Sequence, residues 1–228
     1  EYDVKTEQKE CWTLTISYVK FLKHAAKVTK GLSGSRPILG GVCHFEDGSL
    51  AVTDSHRLYF VKNAYETSIQ FVADPKTGEK IEGNFPQIKR LIPEESAAQF
   101  QVVLNVPETV NALKAMLLID KKHTMVRLTV ESHDLMIKAG DSRSFHVSFN
   151  AGGLDNCRGD YETEAINVDA LVNGKYLLEA FELFKDLDDY QVTLNFYDNN
   201  RPMTFTTNKL NDLLVLILPI KVKVAEVK

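Results

Sequence analysis

The sequence lacks any run of about 18 uncharged apolar residues, the minimum for a membrane-spanning helix. Its apolar segment Leu213–Ile220 is far too short to span a bilayer and is typical of a buried strand. Nothing at the start of the sequence resembles a secretory signal. A cytoplasmic location without membrane contact is therefore expected.

Cysteine is scarce, with only Cys11, Cys43 and Cys157 in 228 residues. The three are widely spaced and odd in number, and no two form a Cys-x-x-Cys pair. This spacing supports neither a zinc site nor a disulfide framework. A reducing compartment fits best.

Catalytic motifs are missing as well. The sequence has no phosphate-binding P-loop, no Gly-x-Gly-x-x-Gly, no Gly-x-Ser-x-Gly and no His-Glu-x-x-His. Asp54, Ser55 and His56 are adjacent, but neighbours on an extended chain point to opposite faces and cannot form a triad. We therefore expect a polar turn there, and no enzyme, catalytic residue, metal or cofactor.

The composition is that of a globular protein, with 44% apolar and 25% charged residues. The length allows two ordinary domains or one large one. A net charge of −4 argues against a general nucleic-acid binder. An acidic protein can nevertheless carry a basic face, so the distribution of charge matters more than its sum.

One pattern occurs three times: an alternating strand followed by an amphipathic helix. The predicted strands are Trp12–Ser17, Phe100–Val106 and Glu164–Val168. The helices are predicted at about residues 18–30, from Pro107 to about residue 120, and from an N-cap at Asn173 to about residue 185.

Alternating segments typical of antiparallel strands lie between the helices, separated by turn signals such as Glu46–Gly48 and Asp198–Asn200. The predicted class is α+β, with repeated strand, helix and antiparallel meander units and helices on one face of the sheets. We expect two domains, 1–95 and 96–228. The first contains one helix-bearing unit and the second contains two.

The first helix carries a one-sided lysine stripe, formed by Lys20, Lys23, Lys27 and Lys30. At about 100° per residue these side chains fall within an arc of roughly 80°. No acidic residue on the helix interrupts the stripe. It can therefore face the phosphates of DNA, or it can simply be a solvated surface.

Several segments together resemble the bacterial DNA polymerase III beta sliding clamp family. Arg36–Gly41 is similar to its Arg-x-x-Leu-x-Gly strand, and Val52–Leu58 to its Thr-Asp-Gly-His-Arg-Leu segment. Phe85–Pro93 resembles the segment that closes the middle domain. Arg201–Met203 and Leu216–Ile220 resemble the end of the third domain, and the order of the segments also matches.

This resemblance implies a non-catalytic ring around duplex DNA, with helices lining the hole. It also implies a groove for short clamp-binding peptides of DNA polymerase, the clamp loader and other proteins. Carried over by position, the peptide-binding residues are Leu39, Thr53, Ser55, His56, Arg57, Leu58, Pro86, Arg90, Leu91, Pro202, Leu216, Pro219 and Ile220. The residues assigned to DNA are Lys20, Lys23, Lys27, Lys30 and Arg36.

The sequence departs from the family in three ways, the first being that no segment resembles the family's first domain. Ser55 stands where the family pattern has glycine, which restricts an unusual φ angle. The segment resembling the middle domain is shortened, as expected of a short phage-type or plasmid-borne clamp. A three-domain clamp closes as a dimer, whereas this chain would close differently, for example as a head-to-tail trimer. The alternative is a clamp-derived peptide-binding module that never encircles DNA.

Overall fold

The computed structural model describes residues 18–32, 36–65, 67–119, 124–131, 134–141, 145–155, 168–207 and 213–221. In these residues the α-helices are α1 (Tyr18–Val28), α2 (Val106–Ile119) and α3 (Gly174–Asp186). The early strands are β1 (Val42–His44), β2 (Leu50–Thr53), β3 (Arg57–Val61), β4 (Phe71–Ala73) and β5 (Phe100–Asn105). The later strands are β6 (Met125–Glu131), β7 (Asp134–Asp141), β8 (Phe145–Asp155), β9 (Asp169–Asn173), β10 (Gln191–Phe196), β11 (Met203–Thr207) and β12 (Leu213–Ile217). Short 3-10 helices cover Pro37–Gly40, Ile88–Leu91 and Glu95–Ala97.

The strands form an antiparallel array in the order β4-β1-β2-β3-β12-β11-β10-β5-β8-β7-β6-β9. Strand β3, from the first part of the chain, pairs directly with β12, near its end. The three helices form one layer: α3 contacts both α1 and α2, and all three lie against the strands. The predicted α+β class and its repeated antiparallel meanders are confirmed.

Helices α2 and α3 each begin after a residue whose side chain caps the helix. Asn173, the predicted N-cap of α3, accepts hydrogen bonds from the backbone N–H of Lys175 at 3.0 Å and of Tyr176 at 3.4 Å. Asn105 does the same for α2, accepting from the Glu108 N–H at 3.0 Å, and this cap was not predicted. Pro107 occupies the second residue of α2, where its missing N–H costs little.

The strand predicted at Trp12–Ser17 lies outside the described residues, as does most of that predicted at Glu164–Val168. In the third unit, the strand that leads into the helix is β9, immediately after Val168. Ala170 and Val172 of this strand are buried and pair with β6, which explains the later position.

The sheet of the first part of the chain is buried on both faces, because successive side chains of a strand point in opposite directions. Tyr59 and Val61 of β3 join the main core beneath α1. Leu58 and Phe60 point the other way, into a second cluster that is closed by Phe85 and Ile88. We call this second cluster the outer cluster.

Cys43 belongs to the outer cluster and is fully buried. Burial raises the pKa of its thiol to about 12. The side chain therefore packs as a small apolar group and is unreactive near neutral pH. Cys11 and Cys157 lie outside the described residues.

None of the helices in the described ranges has the length and apolar character needed to cross a membrane.

The contact between α1 and α3 contains a buried histidine. His24 is 1% exposed, and its Nε2 lies 2.8 Å from Oδ2 of Asp186. Burial lowers the pKa of His24, although the bond to Asp186 opposes this shift. The hydrogen bonds from Lys23 and His24 lower the pKa of Asp186 to about 2. The folded protein therefore favours neutral His24 and ionised Asp186.

The stability of the protein is expected to fall between pH 7 and pH 5.5. A histidine whose pKa is lower in the folded than in the unfolded state binds its proton preferentially on unfolding. Each such histidine therefore removes at most about 1.4 kcal/mol per pH unit below its unfolded pKa. Buried His44 has a lowered pKa for the same reason and contributes in the same direction.

His24→Gln, which retains an amide donor toward Asp186, should reduce this loss without removing the share due to His44. Urea unfolding at both pH values measures the difference. His56→Gln, at an exposed position, is the control and should keep the pH dependence of the parent protein. An unchanged pH dependence in His24→Gln contradicts the assignment.

Candidate functional site

The turn from β2 to β3 is built by its own side chains. Oδ1 of Asp54 accepts hydrogen bonds from the backbone N–H groups of His56 and Arg57, both at 2.9 Å. Thr53 donates its hydroxyl to the Arg57 carbonyl at 2.7 Å. Ser55 has φ of +73°, a left-handed conformation that costs a non-glycine residue about 1–2 kcal/mol. Ser55 and His56 are left exposed at the tip of the turn.

Three of the predicted peptide-binding residues form the apolar floor beside this turn. Leu39, Leu58 and Leu216 are 3%, 3% and 5% exposed and belong to the outer cluster. Leu58 and Leu216 are direct cross-strand partners in the pairing of β3 with β12. They lie beneath the surface and expose little area themselves. Thr53 is also buried, at 8% exposure.

Two other predicted peptide-binding residues are exposed apolar side chains. Leu91 is 62% exposed, and Ile220 is 38% exposed. Leu218, which was not predicted, is 37% exposed, and its N–H donates to the His56 carbonyl at 2.9 Å. Its position in the apolar run after β12, next to Pro219, was the available sequence signal.

The segment Phe85–Leu91 is fixed from within by Phe85 and Ile88 of the outer cluster. This leaves Pro86 and Arg90 on the surface. Lys89 ties the segment to the β1–β2 turn through an ion pair with Asp47. Pro202 and Pro219 are half-buried, and Pro202 precedes Met203, which pairs with Ile217.

An open cleft of about 430 Å³ lies at the β2–β3 turn. We call it the outer cleft. Its lining residues are Gly31, Leu32, Arg36, Leu39, Asp54, Ser55 and His56. Three of the residues predicted to bind peptides are therefore in the lining. Arg36, which was assigned to DNA, also lies here and not with the lysine stripe.

Arg57 points away from Leu58, into the helix layer. It is 4% exposed, and its Nε donates to Asp54 at 3.0 Å while Nη1 donates to Glu179 of α3 at 2.5 Å. Its guanidinium carbon lies 4.2 Å from the centre of the Tyr176 ring. These contacts join β3 to α3, and Arg57 also lines a cavity between the two elements. Its role in peptide binding stays a prediction.

A second cavity, of about 520 Å³, extends from the outer cleft toward the helices. We call it the inner arm. The two spaces share Gly31, Leu32, Asp54 and His56 as lining residues, so they are continuous around the β2–β3 turn. The inner arm adds Lys27, Val28, Lys30, Arg57, Lys175, Tyr176 and Glu179.

The lysine stripe of α1 faces acidic side chains of α3 and of the residues that follow it. Lys23 pairs with Asp186 at 2.9 Å, and Lys20 lies 3.5 Å from Asp188. Lys27 pairs with Glu182 at 3.0 Å. Lys114 of α2 lies 3.1 Å from the other oxygen of the same carboxylate.

Burial raises the pKa of Glu182, but the hydrogen bonds from Lys27 and Lys114 leave it below its usual value. The stripe therefore holds α1 against α3. Partners this distant in sequence could not be seen from the spacing of lysines on one helix, and pairing reduces the positive field available to DNA. Binding of DNA by these lysines stays a prediction.

Among the described residues, no group of three or more His, Cys, Asp or Glu side chains could hold a metal ion.

These features together define a class of fold: helices in one layer, antiparallel strands in the other, and a cleft where an early strand meets a late one. No protein-family model matches the sequence, and no curated protein resembles it in sequence. Among solved structures, the described class is that of the DNA sliding clamps.

The DNA polymerase sliding clamp from Bacillus subtilis matches 90% of this chain with a TM-score of 0.73 and 19% identity. The beta subunit from DNA polymerase of Streptococcus pyogenes matches 90% with a TM-score of 0.70 and 20% identity. The H. pylori beta clamp in complex with diflunisal matches 92% with a TM-score of 0.68 and 20% identity. The chain spans 62%, 64% and 65% of these proteins, respectively, and has the sliding-clamp fold.

The Arg57–Glu179 pair should be energetically coupled. Removing one partner of a buried pair leaves the other charge buried and unpaired, so Arg57→Gln is expected to destabilise the protein by about 3–5 kcal/mol. Urea unfolding of Arg57→Gln, Glu179→Gln and the double variant yields the coupling, expected at about 1–3 kcal/mol.

Lys20→Gln removes an ion pair with Asp188, which is 80% exposed, and should change stability by less than about 1 kcal/mol. Strictly additive effects of Arg57→Gln and Glu179→Gln would show that the contact does not join the two elements.

Proposed function

We propose that this chain is a DNA sliding clamp, a non-catalytic processivity factor that tethers DNA polymerase to duplex DNA. Partner proteins bind through short peptides at the outer cleft and the apolar surface beside it. The division into units 1–95 and 96–228 belongs to this proposal, as do ring formation by self-association and a cytoplasmic location. The observation that carries it is the clamp fold combined with a cleft at the predicted groove positions.

The surface beside the outer cleft is suited to an extended peptide with apolar anchors. Leu91, Leu218 and Ile220 are exposed. Ile88 and Leu216, which lie in or just before the same segments, belong to the outer cluster. Large apolar side chains left in water next to a preformed cleft are typical of a binding surface. The prolines at positions 86, 202 and 219 stiffen the segments that carry them, which reduces the entropy lost on binding.

The acidic partners of the lysine stripe are relevant to the proposed contact with DNA. A ring holds DNA by enclosing it, so weak contact with phosphates is compatible with a clamp. The pairing of Lys20, Lys23 and Lys27 also fits a second candidate, a clamp-derived peptide-binding module that does not encircle DNA. Both candidates bind peptides, but only the sliding clamp encircles DNA.

A fluorescein-labelled peptide with leucine and phenylalanine anchors should bind with Kd of about 1 µM, or roughly −8 kcal/mol. Leu91→Ser and Ile220→Ser should each weaken binding about ten-fold, because each removes apolar area that the peptide covers. Fluorescence anisotropy measures both. Leu118→Ser, at a 69% exposed position on α2, is the matched control and should bind as the parent does. Equal affinity in all three variants rules out this surface.

Encirclement has its own test. A ring should sediment as a closed oligomer and, once loaded, remain on a nicked circular plasmid during gel filtration. It should then leave the DNA when a restriction enzyme linearises the plasmid. A stable monomer that is never retained on the circle rejects the ring and supports the peptide-binding module.

A further inference from the structure

The segment Phe85–Leu91, which we call the closing segment, ends in a single 3-10 turn, Ile88–Leu91. Ile88 is the one buried residue of that turn. A 3-10 helix has about 3.0 residues per turn, so successive side chains point roughly 120° apart. A turn that is buried at one residue can still rotate about its own axis. Such a rotation would change the directions of Arg90 and Leu91, which the sequence assigns to the peptide surface.

Lys89 makes a second contact on a different side of this turn. Its ammonium group forms an ion pair with Asp47, in the turn between β1 and β2. The same ammonium lies 4.7 Å from the centre of the Phe45 ring and 6.0 Å from the centre of the Phe60 ring. A cation close to the face of an aromatic ring is attracted by the ring quadrupole. Lys89 therefore joins the 3-10 turn to β3 and to the β1–β2 turn.

The β1–β2 turn is well fixed and can serve as an anchor. Oδ1 of Asp47 accepts hydrogen bonds from the backbone N–H of Ser49 at 3.1 Å and from its hydroxyl at 2.5 Å. Gly48 has φ of +77°, and its N–H donates to the Phe45 carbonyl at 2.9 Å. The hydrogen bonds from Lys89 and Ser49 lower the pKa of Asp47 to about 2, so this carboxylate is ionised near neutral pH.

Phe45 contacts both ends of the closing segment. Its ring meets the ring of Phe85 edge to face, with centroids 6.3 Å apart and planes inclined by 82°. Lys89, four residues later, lies over the same Phe45 ring. Two contacts at separate points of a short segment restrict its rotation, which one buried residue does not.

We propose that Lys89 is a positioning residue for peptide binding, which fixes the rotation of the 3-10 turn and thereby holds Arg90 and Leu91 toward the partner peptide. The inference rests on the proposed function. Lys89 and Asp47 are each about half exposed, so their ion pair contributes little to the stability of the whole chain. Its effect is on affinity, because a turn that is free to rotate must be ordered when the peptide binds.

The test uses the fluorescein-labelled peptide with leucine and phenylalanine anchors. Lys89→Met keeps most of the side-chain length but removes the charge, and it should raise the Kd about two- to five-fold, as the loss of an exposed ion pair implies. Lys80→Met is the matched control, since Lys80 is an exposed lysine 5.6 Å from the Phe71 ring and lies outside the closing segment. It should bind as the parent protein does.

Two further variants identify the contact. Lys89→Arg retains a cation for Asp47 and for the aromatic rings, so it should keep most of the affinity. Asp47→Asn removes the other partner of the ion pair and should weaken binding about as much as Lys89→Met. Loss of affinity in Lys89→Arg equal to that in Lys89→Met would contradict the ion pair as the cause.

A positioning role also predicts non-additive effects. Once Leu91→Ser has removed the apolar anchor that the turn presents, adding Lys89→Met should cost less affinity than it does in the parent protein. Hydrogen exchange of the backbone amides should be faster in the closing segment of Lys89→Met. Loss of affinity without faster exchange, or with fully additive effects, means that Lys89 contacts the peptide directly and overturns the inference.

The outcomes separate this inference from the proposed function. A parent protein that binds the peptide and a Lys89→Met protein that binds it equally well overturn the positioning role alone. Failure of the parent protein to bind the peptide overturns peptide binding and the inference together. Urea unfolding of Lys89→Met should match that of Lys80→Met, which shows that a change in affinity does not arise from a loss of folding.

Discussion

The antiparallel pairing of β3 with β12 is the contact on which the rest of the site depends. It aligns Leu58 with Leu216 and Arg57 with Ile217. A slip of one residue would turn every side chain of the strand to the opposite face. Leu58 would then enter the helix layer. Arg57 would enter the apolar outer cluster, away from the carboxylates of Asp54 and Glu179. The register is thus specified by two different environments, the apolar outer cluster on one face and the charged contacts of the helix layer on the other.

Much of the fold could be predicted from the sequence because its signals are local. Alternation of apolar residues indicated antiparallel strands between the helices, and Asn173 marked the start of α3 because a cap acts within three residues. Which distant residues lie close together in the fold could be predicted only from the family resemblance, as for Leu39 and Leu216. The position of β9 was missed because the segment before it offered an equally regular alternation.

The charged contacts of the site could not be predicted in the same way. Arg57 and Glu179 are 122 residues apart, and Lys23 and Asp186 are 163 apart. Nothing in the spacing of lysines on one helix indicates acidic partners on another. The assignment of Arg57 to the peptide surface followed from its place in a motif. Its neighbour Leu58 does face the outer cluster, and strand alternation therefore requires Arg57 to face the other way.

Because these partners are far apart in the sequence, their contacts form at different times during synthesis. A chain emerges from the ribosome at about 5–20 residues per second, so β12 is made about 8–30 seconds after β3, with which it pairs. Until β12 appears, Leu58 has no cross-strand partner on that side, and Arg57 lacks Glu179 until α3 has been made. The inner arm, which is lined by Lys175, Tyr176 and Glu179, therefore exists only in a chain translated through α3. A product that terminates before α3 retains the residues of the outer cleft but has no inner arm.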